Sequence, residues 1–237
     1  MNRIFYMVAR NFFRVPLWFL RIWKMGLPGD THTLEQHYEY IRNVVKSVNK
    51  TGRVKVEVHG IENLPSENGF ILFPNHQGLF DVLALMEASP MPLSVVVKKE
   101  AARLILVKQV IKALEGFSID RQDVRASMDI IYKMTDNVKA GKNYVIFPEG
   151  TRSKQGNTLL SFKGGTFKSA VNAKCPIVPV ALIDCFRPFD ENSSKKIEVQ
   201  VSFLKPLYAE DYQNLKTIQI AEIVKDKIQE EINQKMG

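Results

Sequence analysis

Cysteine is scarce: Cys175 and Cys185 are the only two in 237 residues. Two thiols cannot build the disulfide framework of a small secreted domain, and they supply no cysteine cluster for a metal. Long apolar runs are also missing from the first 24 residues. The longest uncharged runs there, Ile4–Ala9 and Val15–Leu20, are six residues each, far short of the ~20 that a transmembrane helix needs. A secretory signal would need one continuous apolar stretch and a small-residue cleavage site, and neither is present. The same segment has no acid; the first is Asp30. Repeats, low-complexity tracts and long linkers are absent. What remains is an ordinary globular composition, 45% hydrophobic and 24% charged, enough to bury a core and unlike a disordered or fibrous chain.

The formal net charge is +8, which suggests an anionic partner: nucleic acid, a membrane surface or a phosphorylated substrate. Its distribution narrows the choice. Arg3, Arg10, Arg14, Arg21 and Lys24 supply five of those charges within a tenth of the chain. The remainder is nearly balanced, which argues against nucleic acid. At helical spacing the five fall within a stripe of about 80°. Around them lie Phe5, Phe12, Phe13, Leu17, Trp18, Leu20 and Trp23. A helix packed on its own domain buries one stripe and exposes the rest; here the polar stripe is the narrow one, which suits a lipid interface. Pro16 can kink the helix or split it in two. The expectation is a peripheral or monotopic protein on the cytoplasmic face of a membrane, with the lipid surface as partner.

Leu27-Pro28-Gly29-Asp30 breaks this segment. Thr31 or Thr33 can cap a helix carrying Leu34, Tyr38, Ile41, Val45 and Val48 on one seam, ended by Gly52. Residues 1–52 are thus read as an N-terminal helical membrane-association segment, and 53–237 as the main domain. Strict alternation in Arg53–Val58 predicts a half-buried strand. Phe70–Phe73, Leu93–Val97, Tyr144–Phe147, Ile177–Ile183 and Ile197–Phe203 read as further strands. Helical periods run from near Asp81, over Lys99–Leu114, Arg121–Lys139 and Thr217–Lys235. Strands alternating with helices predict an α/β fold with a largely parallel central sheet flanked by helices.

Two loops follow directly on apolar strands, where ligand sites of α/β sheets collect. In the first, His76 and Asp81 stand five residues apart across a loop-to-helix turn. An Asp bonded to one imidazole nitrogen would leave the other free to accept a proton. A loop histidine bonded to a helix-start aspartate is the plainer reading, and spacing alone favours it. In the second loop, Phe147–Ser153, Gly150 admits close backbone approach, and Thr151, Arg152 and Ser153 offer donors suited to phosphate oxygens. Lys163-Gly164-Gly165 precedes a helix and adds a cation and backbone amides. A tight polar turn with a surface arginine explains the second loop about equally well. His32, His37 and His59 have no matching partners and read as structural or surface residues; Cys175 and Cys185 read as buried thiols.

Together the two loops resemble the glycerolipid acyltransferase family, specifically the 1-acyl-sn-glycerol-3-phosphate (lysophosphatidic acid) acyltransferases. Four blocks carry the resemblance: Asn75-His76 with Asp81, Phe117-Ser118-Ile119-Asp120-Arg121, Phe147-Pro148-Glu149-Gly150-Thr151-Arg152-Ser153, and Ile177-Val178-Pro179-Val180. Order and spacing agree over about residues 54–205. The resemblance implies that His76 deprotonates the free hydroxyl of a lysophosphatidate while Asp81 orients and charge-balances it. The alkoxide then attacks an acyl thioester, carried by coenzyme A or acyl carrier protein, giving phosphatidic acid. Arg121 and Arg152, with Gly150, Thr151 and Ser153, would hold the acceptor phosphate. Glu149 would order the loop and touch the acceptor, and Lys163 would contact phosphate or donor. Neither a metal nor another cofactor is expected. The alternatives are the same chemistry on glycerol 3-phosphate or another lysophospholipid, and a non-catalytic membrane-binding protein of this fold.

Overall fold

The sequence alternation survives as strands wherever one face meets a core. In the computed structural model, which describes residues 3–120 and 123–237, the elements run α1 (Arg3–Arg10), α2 (Val15–Lys24), α3 (Leu34–Thr51), β1 (Val54–His59), β2 (Ile71–Pro74), α4 (Asp81–Ala88), β3 (Ser94–Lys98), α5 (Ile105–Ala113), β4 (Phe117–Ile119), α6 (Val124–Lys139), β5 (Tyr144–Val145), α7 (Lys168–Ala173), β6 (Ile177–Ile183), α8 (Arg187–Asp190), β7 (Ile197–Phe203), α9 (Ala209–Tyr212) and α10 (Thr217–Met236). The strands form one sheet in the order β1-β7-β6-β2-β5-β3-β4. Every neighbouring pair is parallel except β6 with β7.

The central strands read as unbroken apolar runs because both their faces are covered. Leu72, Val178, Val180 and Leu182 share one core with Tyr38 and Ile41 of α3 and Ala84 and Leu85 of α4. Their alternate neighbours Ile71, Phe73, Ile177, Ala181 and Ile183 face the other way, into a core with α6, α7 and Ile220, Val224 and Ile228 of α10. This is the expected α/β fold with helices on both faces of a mostly parallel sheet. From β2 the chain moves out to β3 beyond β5; from β5 it crosses β2 to reach β6. The carboxyl ends of β2, β5 and β6 therefore border the crevice where connections diverge.

Some elements depart from the sequence expectation for identifiable reasons. Lys99–Leu114 divides into a 3-10 turn at Ala101–Arg103 and α5. The strand expected over Tyr144–Phe147 is assigned only to Tyr144–Val145, and Pro148 cannot donate to a ladder. β4 is a three-residue edge strand paired to Val96–Lys98, too short for an alternation signal.

The N-terminal stripe requires a correction. The chain turns between α1 and α2, with Pro16 in the first turn of α2, where its missing N–H costs nothing. The five basic residues therefore do not lie along one helix. Arg3 in particular does not face outward: it is buried, and its guanidinium donates to the carbonyls of Gly52 at 2.6 Å and Lys195 at 2.9 Å. Arg10 donates to the Tyr6 hydroxyl, and Arg21 lies over the Tyr40 ring at 4.4 Å. Gly52 does end α3, but with a helical φ of −76°. Glycine fits there by packing, since a Cβ would stand 2.1 Å from Met7 Cε and the buried methionine would have to move. Thr33 and Gln36 close a reciprocal capping box at the start of α3. Among the described residues, no helix is long and apolar enough to cross a membrane.

Candidate active site

β2 ends at Pro74, and the three residues that follow are each fixed by a different contact. Asn75 is buried; its amide donates to Leu182 O at 3.0 Å and its Oδ1 accepts from Leu182 N–H at 2.7 Å, pinning the loop to β6. His76 Nδ1 lies 2.7 Å from Asp81 Oδ2. Gln77 bridges Asn157 and the Cys185 amide. Asp81 opens α4 and is fully buried. Its carboxylate also accepts from Gln77 N–H at 2.7 Å and from Gly78 N–H at 3.0 Å. Gly78 is needed for this turn because a Cβ would meet the Phe186 backbone at 3.0 Å.

This acceptor fixes the histidine's chemistry. A carboxylate accepts only, so Nδ1 carries the hydrogen and Nε2 keeps its lone pair. The ring stacks on Phe147, with centroids 4.0 Å apart, and its side chain retains 20% exposure while Asp81 retains none. Burial raises the Asp81 carboxyl above the usual range, opposed by the His76 ring and the two amides. The result is an oriented base on an open side and a buried acceptor behind it, the arrangement of a general-base dyad.

The second loop leaves β5, the strand beside β2, and is stitched to the first through the His76 peptide. Glu149 Oε1 accepts from His76 N–H at 2.8 Å, its Oε2 accepts from Leu160 N–H at 3.3 Å, and Ser153 N–H donates to His76 O at 2.8 Å. Glu149 and Ser153 are buried. Desolvation raises the Glu149 carboxyl, opposed chiefly by those two amides. Gly150 takes the left-handed φ of +74° and leaves only 3.1 Å between a would-be Cβ and Lys163 Nζ, so Lys163 is brought beside the loop as the sequence suggested. Thr151 is exposed and Arg152 half-buried; among the described residues, no acidic group pairs with Arg152. The structure thus brings His76, Asp81, Glu149, Gly150, Ser153 and Lys163 into one assembly, with Thr151 and Arg152 on the same loop. The predicted Arg121 lies outside the described residues.

Residues 55–183 match the acyltransferase family. The chain belongs to that family. Curated acyltransferases similar to it include the 1-acyl-sn-glycerol-3-phosphate acyltransferases of Saccharomyces cerevisiae, 32% identical over 73% of this chain and 58% of that protein, and of Borreliella burgdorferi, 29% identical over 59% of this chain and 55% of that protein. The human beta enzyme of the same name is 33% identical over 54% of this chain and 46% of that protein. The chain spans about half the length of the curated relatives it matches. The acyltransferase fold is also that of the 1-acyl-sn-glycerophosphate acyltransferase crystal structure from Thermotoga maritima, with a TM-score of 0.75 and 22% identity over 98% of this chain and 93% of that one.

Sequence reasoning missed the support around the dyad. Asn157 Oδ1 accepts from Gln77 and from Asp184 N–H, while Asn157 Nδ2 donates to Asp184 Oδ1 at 2.9 Å. Isolated Asn and Gln residues in polar loops carry no spacing signal, so nothing in the sequence marks them. Glu149 offers a test of the stitching. A glutamine there keeps one acceptor but turns an NH2 donor toward either the His76 or the Leu160 amide. Glu149→Gln is expected to cost about 1–3 kcal/mol, seen as a fall of several degrees in thermal unfolding, at roughly 2–4 °C per kcal/mol. An unchanged midpoint would show that the carboxylate does not hold the two loops.

Proposed function

We propose that the protein transfers a fatty acyl group from an acyl thioester to the sn-2 hydroxyl of 1-acyl-sn-glycerol-3-phosphate, giving phosphatidic acid. The observation that carries this reading is the His76–Asp81 pair, with a bare Nε2 on its open side, next to a loop that carries a half-buried Arg152 with no acidic partner among the described residues. Nε2 takes the hydroxyl proton as the oxygen attacks the thioester carbonyl. A tetrahedral oxyanion forms, the carbon–sulfur bond breaks, and the imidazolium returns its proton to the departing thiolate. Asp81 stays ionised and stabilises the imidazolium. The nucleophile belongs to the acceptor, so no acyl-enzyme forms. The thioester is carried by coenzyme A or acyl carrier protein.

Lysophosphatidate and phosphatidate both reside in a bilayer, and the exposed surface of the first two helices supports interfacial attachment at the cytoplasmic face. Phe5, Phe12, Phe13, Leu17 and Leu20 are exposed there, beside Arg10, Arg14 and Lys24. Leu104, Ile105 and Leu106 add exposed apolar side chains at the start of α5, a helix packed against α2. Apolar side chains with a basic fringe suit an anionic lipid surface.

A matrix of donors and acceptors tests the reading with purified protein in detergent. Thiol release is expected with lysophosphatidate and acyl-coenzyme A or acyl carrier protein. Release only with glycerol 3-phosphate, or only with another lysophospholipid, would replace the acceptor; no thioester consumption with any acceptor would favour a non-catalytic lipid-binding role. Arg152 refines the test. A charged hydrogen bond from a half-buried guanidinium is worth about 1.5 kcal/mol or more, so Arg152→Ala should lower kcat/KM for lysophosphatidate by about tenfold. Slow turnover of a monoacylglycerol lacking phosphate should not change. Equal losses on both acceptors would detach Arg152 from the phosphate.

A further inference from the structure

Two histidines and an aspartate meet where α2 turns into α3, on the chain stretch Asp30-Thr31-His32 and five residues on at His37. His32 Nδ1 lies 2.8 Å from Asp30 Oδ1, and His37 Nε2 lies 2.8 Å from Asp30 Oδ2. One ligand atom from each residue falls within 4.8 Å of the others. We propose that Asp30, His32 and His37 bind a divalent first-row transition metal, Zn2+ in the first instance, through two imidazole nitrogens and one carboxylate oxygen.

The tautomer of His37 carries the argument. Its Nδ1 sits 3.0 Å from the Ala113 carbonyl, which only accepts, so Nδ1 holds the hydrogen and the neutral ring has its lone pair at Nε2. The side chain retains 8% exposure, and Nε2 makes no hydrogen bond despite the nearby Asp30 oxygen. A buried lone pair facing an anionic oxygen is a repulsive contact unless a second ring proton or a metal ion lies between them, and Nε2 lacks the geometry of a hydrogen bond to Asp30. A ring N–H donated to a backbone carbonyl is also how metal-binding histidines are usually held. Asp30 is supported in the same way, accepting from Gly26 N–H at 2.6 Å and His32 N–H at 3.1 Å. Bonds of ~2.1 Å in a tetrahedron set ligands about 3.4 Å apart, so each 2.8 Å contact must open by roughly 0.6 Å. His32 is 58% exposed and free to open the first contact, and the second opens by a shift of the Asp30 carboxylate relative to the buried His37. Two imidazoles favour a transition metal over magnesium or calcium. The fourth position opens on a cleft of about 800 Å³ lined also by Arg21, Lys24 and Tyr40, where water or an anionic oxygen completes the set. Because His37 reaches the end of α5, the metal would clamp the α2–α3 turn onto the body, separately from acyl transfer.

The experiment uses the full chain in detergent, stripped with a chelator and titrated with Co2+. One equivalent is expected to give the visible absorption of low-symmetry Co2+, to be displaced by Zn2+, and to raise the thermal midpoint. His32→Ala, at an exposed position that leaves folding intact, should weaken binding about 100-fold or more, beyond the usual effect of losing an outer-shell partner. Asp30→Asn should do the same, while His59→Asn should bind as the parent does. Absence of a one-to-one signal, or a signal that survives both His32→Ala and Asp30→Asn, would overturn the site.

Discussion

His76→Ala is expected to reduce kcat by about three orders of magnitude, in line with the 10²–10⁴-fold that a positioned base contributes, while leaving the fold intact. The side chain keeps one hydrogen bond and one stacking contact, and its backbone N–H and C=O, which hold the second loop, are unaffected by truncation. Loss of activity far beyond what a small fall in the thermal midpoint, from Asp81 losing one partner, could explain is therefore the signature. Asp81→Asn sharpens the test because the amide has no good orientation. With its oxygen toward His76, the NH2 faces the Gly78 amide, donor against donor. With its NH2 toward His76, Nδ1 must give up its hydrogen, and the proton moves to Nε2, the position that has to be bare. Either way kcat should fall by roughly 10²–10⁴-fold, and both orientations cost stability, the second more because its NH2 also faces the Gln77 and Gly78 amides, donor against donor. Full turnover in either variant would sink the general-base mechanism.

Replacing Phe12, Phe13, Leu17 and Leu20 together with glutamine should lower the partition coefficient onto anionic vesicles by about 100-fold or more. Phe13 is 87% and Leu17 67% exposed in the protein alone, so insertion would bury nearly all of their apolar surface. Full burial of such a side chain is worth about 1.5–3 kcal/mol; half-insertion of four side chains still exceeds ~2.7 kcal/mol, a factor of about 100. Because these positions contribute little to the core, the folded state should be unaffected. Vesicle sedimentation at two salt concentrations separates this apolar contribution from that of the basic fringe, which salt screens. Sedimentation unchanged by the four substitutions would remove these helices from the interface and leave the exposed start of α5 as the surface to test.

Much of the site was legible because its chemistry sits at strand ends. The apolar runs before Asn75 and Phe147 marked two buried strands, and polar residues directly after them marked the loops. The meeting of His76 with Asp81 was not legible from spacing, since five residues on a continuous helix are about 140° apart. It depends on Asn75 being anchored to β6 and on the Gly78 turn packing against Phe186. The role of Glu149 was half legible: its loop was marked, but its partners, the amides of His76 and Leu160, come from elsewhere in the chain.

The sequence alone determined the α/β class, the largely parallel sheet and the two polar loops after buried strands, because alternation, apolar runs and turn residues are local signals. Tertiary structure decided what each charge does. Arg3 shared a stripe with four other basic residues by periodicity, yet it is spent on carbonyls 49 and 192 positions away, since a buried guanidinium is tolerable only where acceptors converge on it. His37 read as either structural or surface until α5 brought the Ala113 carbonyl to its Nδ1 and left Nε2 facing Asp30. No short-range pattern carries such information: the burial of a charge, or the tautomer of an imidazole, depends on which distant backbone groups the fold delivers beside it.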